Sequence, residues 1–208
     1  MDTNQIIIRP ETPADCCAVE ALVRQSFWDL YRPGCMEHFV LHCLRQDPAF
    51  VPQLSLVMER QGTLCGQFAA VRAGIALDEG GVLPVLNIGP LCIAPALQRQ
   101  GLGRLLLDTA LQKAAGLGFG AAVLEGSPAF YGPSGFVPGK AAGIRYADDP
   151  QADYFLVKEL QPGFLQGRRG TYRDPAGYFV CLTRPQEFAE FEAQFPAAEK
   201  QVFPGQLE

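Results

Sequence analysis

Donor groups with little side-chain bulk gather at Gln98-Arg99-Gln100-Gly101-Leu102-Gly103-Arg104. They follow an apolar stretch, Ile88–Ile93, that Pro95 ends, and they lead straight into a run with helical spacing. The first N–H groups of a helix have no acceptor inside it, and the helix dipole adds partial positive charge there. Gly101 and Gly103 leave those amides open to close approach, and Gln98, Arg99 and Arg104 add side-chain donors. The chemistry on offer is anion binding, a diphosphate above all. A dinucleotide fingerprint would need a third glycine where Leu106 stands, and a Walker loop would need Gly-Lys followed by Ser or Thr, which is absent. An ordinary tight strand-to-helix turn remains an alternative reading of the same residues.

Other reactive residues are less organised. His38 and His42, the two histidines, lie one helical turn apart with Cys35 close by, but no clear third ligand accompanies them. A solvated helix face is the better reading, and no metal is expected. The seven cysteines are scattered and odd in number, without a CxxC pair, which argues against both zinc and a disulfide framework. Cys92 lies in the apolar strand, where an acyl-cysteine is conceivable. No histidine is near it in sequence, so inert packing is the simpler reading.

The elements that position these residues follow from periodicity. Arg104, Asp108 and Gln112 make a polar stripe, Leu102, Leu105, Leu106 and Ala110 a buried face, and Gly116 and Gly118 a stop. Gly89-Pro90 predicts a kink or bulge in the strand before the turn. Upstream, Ile6-Ile7-Ile8 is a strand, and a helix starts at Thr12-Pro13 with Thr12 as its cap. A second helix spans Met36 to Leu44, and Leu54–Glu59 with Leu64–Ala73 form a hairpin turned at Arg60-Gln61-Gly62. Downstream come a strand over Phe119–Glu125, parallel to the central one, and a short helix over Pro128–Ser134. A final strand pair covers Gly135–Arg145 and Tyr154–Leu160. Phe164–Thr171 and Gly177–Leu182 read as an added ribbon. A last helix opening at Thr183-Arg184-Pro185-Gln186 carries Phe188, Phe191 and Phe195 on one face, which must be covered. The tail from Pro196 reads as loosely held.

With 208 residues and nearly half of them hydrophobic, the chain suits one domain with a C-terminal addition. A net charge of −5 argues against bulk attraction to nucleic acid. The apolar region Gly81–Leu97 holds three prolines and an asparagine and does not read as a membrane span. Met1–Arg9 shows no basic-then-apolar leader, so a cytoplasmic protein with free thiols is expected.

Ile88–Leu107 resembles the acyl-coenzyme A binding motif of the GNAT N-acetyltransferase superfamily, and the likeness extends roughly from Ile6 to Leu160. Gly126-Ser127-Pro128-Ala129-Phe130-Tyr131, followed by Gly135-Phe136, is similar to the YhbS-type branch. The resemblance implies an α/β fold, a central mixed, mostly antiparallel sheet flanked by helices. Residues 1–160 would be the acetyltransferase domain, and 161–208 a C-terminal extension packed on it. It implies acetyl-CoA as co-substrate, its pyrophosphate on Gln98, Arg99, Gln100, Gly101, Leu102, Gly103 and Arg104. Leu91, Cys92 and Ile93 would line the pantetheine and thioester, a backbone N–H there polarising the carbonyl. It implies two strands that part at their C-terminal ends, with Tyr131 as acid to the departing sulfur. Glu125, read from its place at the strand end, is the candidate base, with Asp78 and Glu79 as weaker alternatives; a merely solvated carboxylate, and an amine that binds neutral or loses its proton to solvent, stay open as alternative readings. Trp28 and Tyr31 would wall the acceptor site, unless they simply pack the first helix pair. The expected reaction is direct transfer to a primary amine, on a small molecule or a peptide, by a monomer or homodimer without nucleic acid, membrane or metal. The alternative is a non-catalytic acyl-CoA sensor or regulatory module, or a scaffold using the aromatic C-terminal helix.

Overall fold

The computed structural model describes residues 6–206, so part of the Met1–Arg9 stretch lies outside the described residues. Nine strands among them form one mixed sheet. They are β1 (Ile6–Pro10), β2 (Leu56–Arg60), β3 (Thr63–Leu77), β4 (Val82–Ile93), β5 (Ala121–Glu125), β6 (Val137–Pro138), β7 (Ile144–Tyr146), β8 (Phe155–Glu159) and β9 (Gly170–Tyr172). The order is β1-β2-β3-β4-β5-β8-β6, with β9 pairing β3 and β7. Parallel pairing joins β4 to β5 and β7 to β9, while β1–β2, β2–β3, β3–β9, β5–β8 and β6–β8 are antiparallel. The backbone divides into two compact units interleaved in sequence.

The first unit runs to Ala69 and adds Pro90–Leu106 and everything from Ala176. β1, β2 and the start of β3 make its meander, turned at Gln61 and Gly62, both with positive φ. Thr12 caps the helix start as expected, its N and Oγ1 both donating to Asp15 Oδ2, but the first turn, Pro13–Asp15, is a 3-10 helix, and α1 proper spans Cys16–Phe27. Arg9 clamps Asp15 and Glu59, tying β1, the helix start and β2. Helix α2 (Glu37–Leu44) packs on α1, and Arg45 and His42 meet the buried Glu20.

Gly177–Leu182 and His38 both depart from expectation in this unit. Gly177–Leu182 is not a strand: Ala176–Phe179 is a 3-10 turn and Val180–Thr183 is helical (α5). Val180 and Cys181 are both buried; neighbours in a strand face opposite sides, whereas a helix can bury both against α2. His38 does not lie on a solvated face: it is 0 % exposed. Helix α6 (Pro185–Glu192) lays Phe188 and Phe191 against it, with Phe195 just beyond, so α2 is covered on a second side. The aromatic face of the last helix thus finds its cover inside this unit, on His38, Phe39 and His42.

The second unit takes Ala70–Gly89 and Leu107–Pro175. Its core joins Ile75, Leu83, Val85, Val123, Ile144, Phe155, Val157 and Tyr172. Tyr146, Phe155 and Tyr172 stack with ring centroids 5.0–6.4 Å apart. The expected pair of Gly135–Arg145 with Tyr154–Leu160 is only partly formed. β6 pairs β8 for two residues, then a 3-10 turn over Gly139–Ala142 carries the chain away to β7, which pairs β9. Of the expected ribbon over Phe164–Thr171, only Gly170 and Thr171 are strand; they open β9, which pairs β3 on one edge and β7 on the other.

Helix α3 (Leu102–Gly116) connects β4 to β5. Its buried face is Leu102, Leu106, Leu107, Ala110, Leu111 and Ala114. Leu105, expected inside, is 45 % exposed: at helical spacing it falls three residues before Asp108, on the polar flank.

Candidate active site

In the first unit the turn after β4 has an unusual backbone shape. Arg99 and Gly101 both take positive φ, 60° and 81°. Left-handed residues interleaved in a turn make successive N–H groups converge on an anion. Leu105 N donates to Gly101 O at 3.0 Å, so the turn runs directly into the helical ladder. A Cβ on Gly101 would meet nothing within 4 Å, so open space lies beside it. Gln98 does not project freely: its Nε2 donates to Ile93 O at 3.0 Å and ties the turn to the strand end. Gln100 Oε1 accepts from Arg60 at 3.1 Å.

The strand end is equally fixed. Ile93 O also accepts from Ser26 Oγ of α1 at 3.3 Å, and Ala94 N donates to Cys65 O at 2.8 Å. Leu91 is half-buried, while Cys92 and Ile93 are buried. Burial pushes the Cys92 thiol up to about 12, against weaker opposing help from Ser26 and the Gln67 backbone. A thiol so held is protonated at neutral pH, which leaves the acyl-cysteine reading without a nucleophile.

Trp28 ends α1. Its ring lies under the Arg24 guanidinium at 4.1 Å, and its Nε1 donates to Glu199 O at 3.1 Å. Tyr31 is 49 % exposed and stands 6.1 Å from Phe27, centroid to centroid. Trp28 is therefore engaged by the chain itself, whereas Tyr31 presents an open face.

In the second unit, parallel pairing joins Leu86 to Ala122 and Asn87 to Val123, and β5 runs on past the last of these pairs to Glu125. Glu125 keeps an exposed edge, yet the surrounding protein crowds its carboxyl. That crowding, then a hydrogen bond and like charge from Asp174, push it up to about 8. Tyr146 OH donates to Asp174 Oδ2 at 2.6 Å, completing the group. Asp174 and Tyr146 escaped sequence reasoning because no local motif links positions so far apart. Asp78, the weaker alternative base, is instead paired with Arg145, which holds its carboxyl below the usual range.

Tyr131 belongs to α4 (Pro128–Tyr131), the short helix expected after β5. Its ring rests on Gly126, where a Cβ would come within 2.4 Å of Tyr131 Cε2. It meets Phe130 and Phe136 edge-on, at 4.7 and 5.7 Å. The glycine after β5 is thus a seat for this ring.

The histidines do something else. His38 Nε2 lies 2.8 Å from Glu192 Oε2, and His42 Nδ1 lies 2.9 Å from Glu20 Oε1. Among the described residues, no group of three or more His, Cys, Asp or Glu is placed to hold a metal ion. A cleft of about 490 Å³ between α2 and the C-terminal helices, lined by His42, Cys43, Arg184 and Glu190 among others, contains none of the expected site residues. No helix among the described residues is long and apolar enough to cross a membrane.

Comparison with known proteins bears on the family and the fold. Residues 21–136 match the Acetyltransferase (GNAT) family. An uncharacterized N-acetyltransferase of Escherichia coli K12, YhbS, is 29% identical over 165 residues, 79% of this chain and 93% of that protein. The crystal structure of Escherichia coli YhbS in complex with CoA superposes with a TM-score of 0.74 at 27% identity, covering 86% of this chain and 94% of that one. A GNAT family acetyltransferase from Brucella melitensis, in complex with acetyl-CoA, shares the fold at a TM-score of 0.66 and 24% identity, over 84% and 98% of the two chains.

Proposed function

The chain belongs to the GNAT family of acetyltransferases, and from that premise we propose that it moves an acetyl group from acetyl-CoA to a primary amine by direct attack in a ternary complex. One observation supports the reading: the left-handed backbone at Arg99 and Gly101, with open space beside Gly101, at the start of α3. A diphosphate is the natural occupant of such a turn, and the similar Escherichia coli YhbS is known in complex with CoA.

The remaining roles follow from what the reaction needs. The amine nitrogen attacks the thioester carbon, a C–N bond forms, the C–S bond breaks, and the amine loses a proton while the sulfur gains one. In this proposal a backbone N–H at Leu91–Ile93 stabilises the oxyanion, Glu125 receives the amine's proton and Tyr131 supplies the sulfur's. Gln98–Arg104 hold the pyrophosphate, and Trp28 and Tyr31 wall the acceptor site. The acceptor is a small-molecule or peptide amine, the protein a cytoplasmic monomer or homodimer. Residues 1–160 act as the acetyltransferase domain, with 161–208 packed on it.

The test is acetyl-CoA turnover across a panel of amines, followed as free thiol, beside calorimetric binding of CoA. Amine-dependent thiol release is expected. Tight CoA binding without thiol release from any amine would make the protein a sensor instead, and failure to bind CoA at millimolar levels would remove the reading altogether.

A further inference from the structure

The tail beyond α6 was expected to be loosely held, and the first unit shows otherwise. Trp28 Nε1 donates to Glu199 O at 3.1 Å, Gln201 N donates to Asp29 Oδ2 at 3.0 Å, and Gln206 Nε2 donates to Asp29 O at 2.6 Å. The Lys200 stem covers Gly34, where a Cβ would sit 2.9 Å from Lys200 Cε. Gln206 in turn is braced by Phe203 N, which donates to its Oε1 at 2.8 Å.

All of these anchors fall on one loop, Trp28–Gly34, and Asp29 joins both sides. Asp29 takes φ 56°, which non-glycine residues seldom adopt without compensating bonds. The compensation is visible. Asp29 N donates to Gly34 O at 2.8 Å, and Asp29 Oδ1 accepts from Gly34 N at 2.6 Å, closing the loop on itself. Asp29 Oδ2 is left for the tail. One carboxylate thus holds the loop shut with one oxygen and the tail in place with the other. The pair leaves Leu30, Tyr31, Val202 and Phe203 exposed, four large apolar side chains on two short segments stitched together.

We propose that the tail Glu199–Gln206 and the loop Trp28–Gly34 form one composite acceptor wall, with Asp29 as its positioning residue, so that the tail determines which amine is accepted. The proposal rests on the reading that Trp28 and Tyr31 face the acceptor. The exposed Leu30, Tyr31, Val202 and Phe203 fit an amine carrying an apolar or aromatic body better than a polycation. Trp28 is the chain's single tryptophan, so its fluorescence reports on the seam directly.

The experiment compares the full chain, the chain truncated after Phe195, and Asp29→Gly, which keeps the left-handed backbone and removes the carboxylate. Each is tested by acrylamide quenching of Trp28, by KM for acetyl-CoA, and by kcat/KM for phenethylamine, spermidine and a glycyl peptide. In both variants quenching is expected to rise at least about twofold and acetyl-CoA KM to stay within about twofold. The phenethylamine-to-spermidine preference should fall roughly tenfold, as lost contacts to an apolar group predict. Increased quenching with an unchanged preference would reduce the tail to packing and overturn the proposal alone, and so would unchanged quenching. No thiol release from the full chain with any amine would sink the acyl-transfer reading, and this proposal with it.

Discussion

Glu125 is a carboxyl whose protonation lies within the working pH range, and the cause is local: crowding by protein, then Asp174 as hydrogen-bond partner and like charge. A base must be deprotonated to act, so if Glu125 takes the amine's proton, kcat/KM should rise as pH rises through about 8 and level off above it. Glu125→Gln should lower kcat roughly 100-fold and erase that limb. Asp174→Asn removes the secondary cause and leaves burial, so the limb should shift partway to lower pH; a limb that instead follows the amine's own pKa from one amine to the next belongs to the amine. The role of Tyr131 separates ring from hydroxyl. Its ring is seated on Gly126 and packed against Phe130 and Phe136, and Tyr131→Phe keeps all of that. We expect Tyr131→Phe to lower kcat by about 100-fold with the dissociation constant for CoA, measured by calorimetry, nearly intact. Unchanged turnover would confine Tyr131 to packing.

At the scale of elements, the β4-turn-α3 unit was legible because its signals are local: an apolar run, Gly89-Pro90, and glycines at the helix start. Gly89 takes φ 152°, inside a strand that runs unbroken from Val82 to Ile93. If the turn holds the pyrophosphate as proposed, backbone shape matters there more than room. Around Gly101 no atom lies within 4 Å of a would-be Cβ, while φ is +81°. Gly101→Val therefore strains the backbone without clashing, at a cost on the order of 1–3 kcal/mol. Relief would turn the amides away from the phosphate. CoA affinity by calorimetry should drop about tenfold or more, and Gly101→Asn, which tolerates the left-handed region, should lose less. Equal losses for the two would mean side-chain bulk, not backbone shape, is decisive. By contrast α5 was misread as strand, since five or six residues of mixed apolar pattern do not distinguish the two, and only the neighbouring α2 decides it.

At the scale of the whole chain, what the sequence hid is what distant segments do to each other. Nothing near His38 announces that Glu192 and three phenylalanines will enclose it, and nothing near Asp29 announces Gln201. The pairing of Glu125 with Asp174 is hidden for the same reason. His38 turns this long-range packing into a measurable quantity. Burial lowers its pKa from 6.5 to about 4, outweighing the pull of Glu192; Arg24 and His42 add to the lowering. The unfolded chain therefore takes up a proton near pH 6.5 that the folded chain refuses until about pH 4. Stability from this group is full above the unfolded value and drains away as pH falls through that window, to the extent of about 3 kcal/mol by pH 4. His38→Phe keeps a ring among Phe188, Phe191 and Phe195 and leaves Arg24 to neutralise Glu192. Urea unfolding at pH 7.5 and pH 4 should show the unmodified chain losing about 3 kcal/mol more than His38→Phe, because other carboxylates titrate alike in both. Equal losses would mean that α6 does not enclose His38 in solution, and that the C-terminal helix is held by its phenylalanines and the Arg24–Glu192 pair alone.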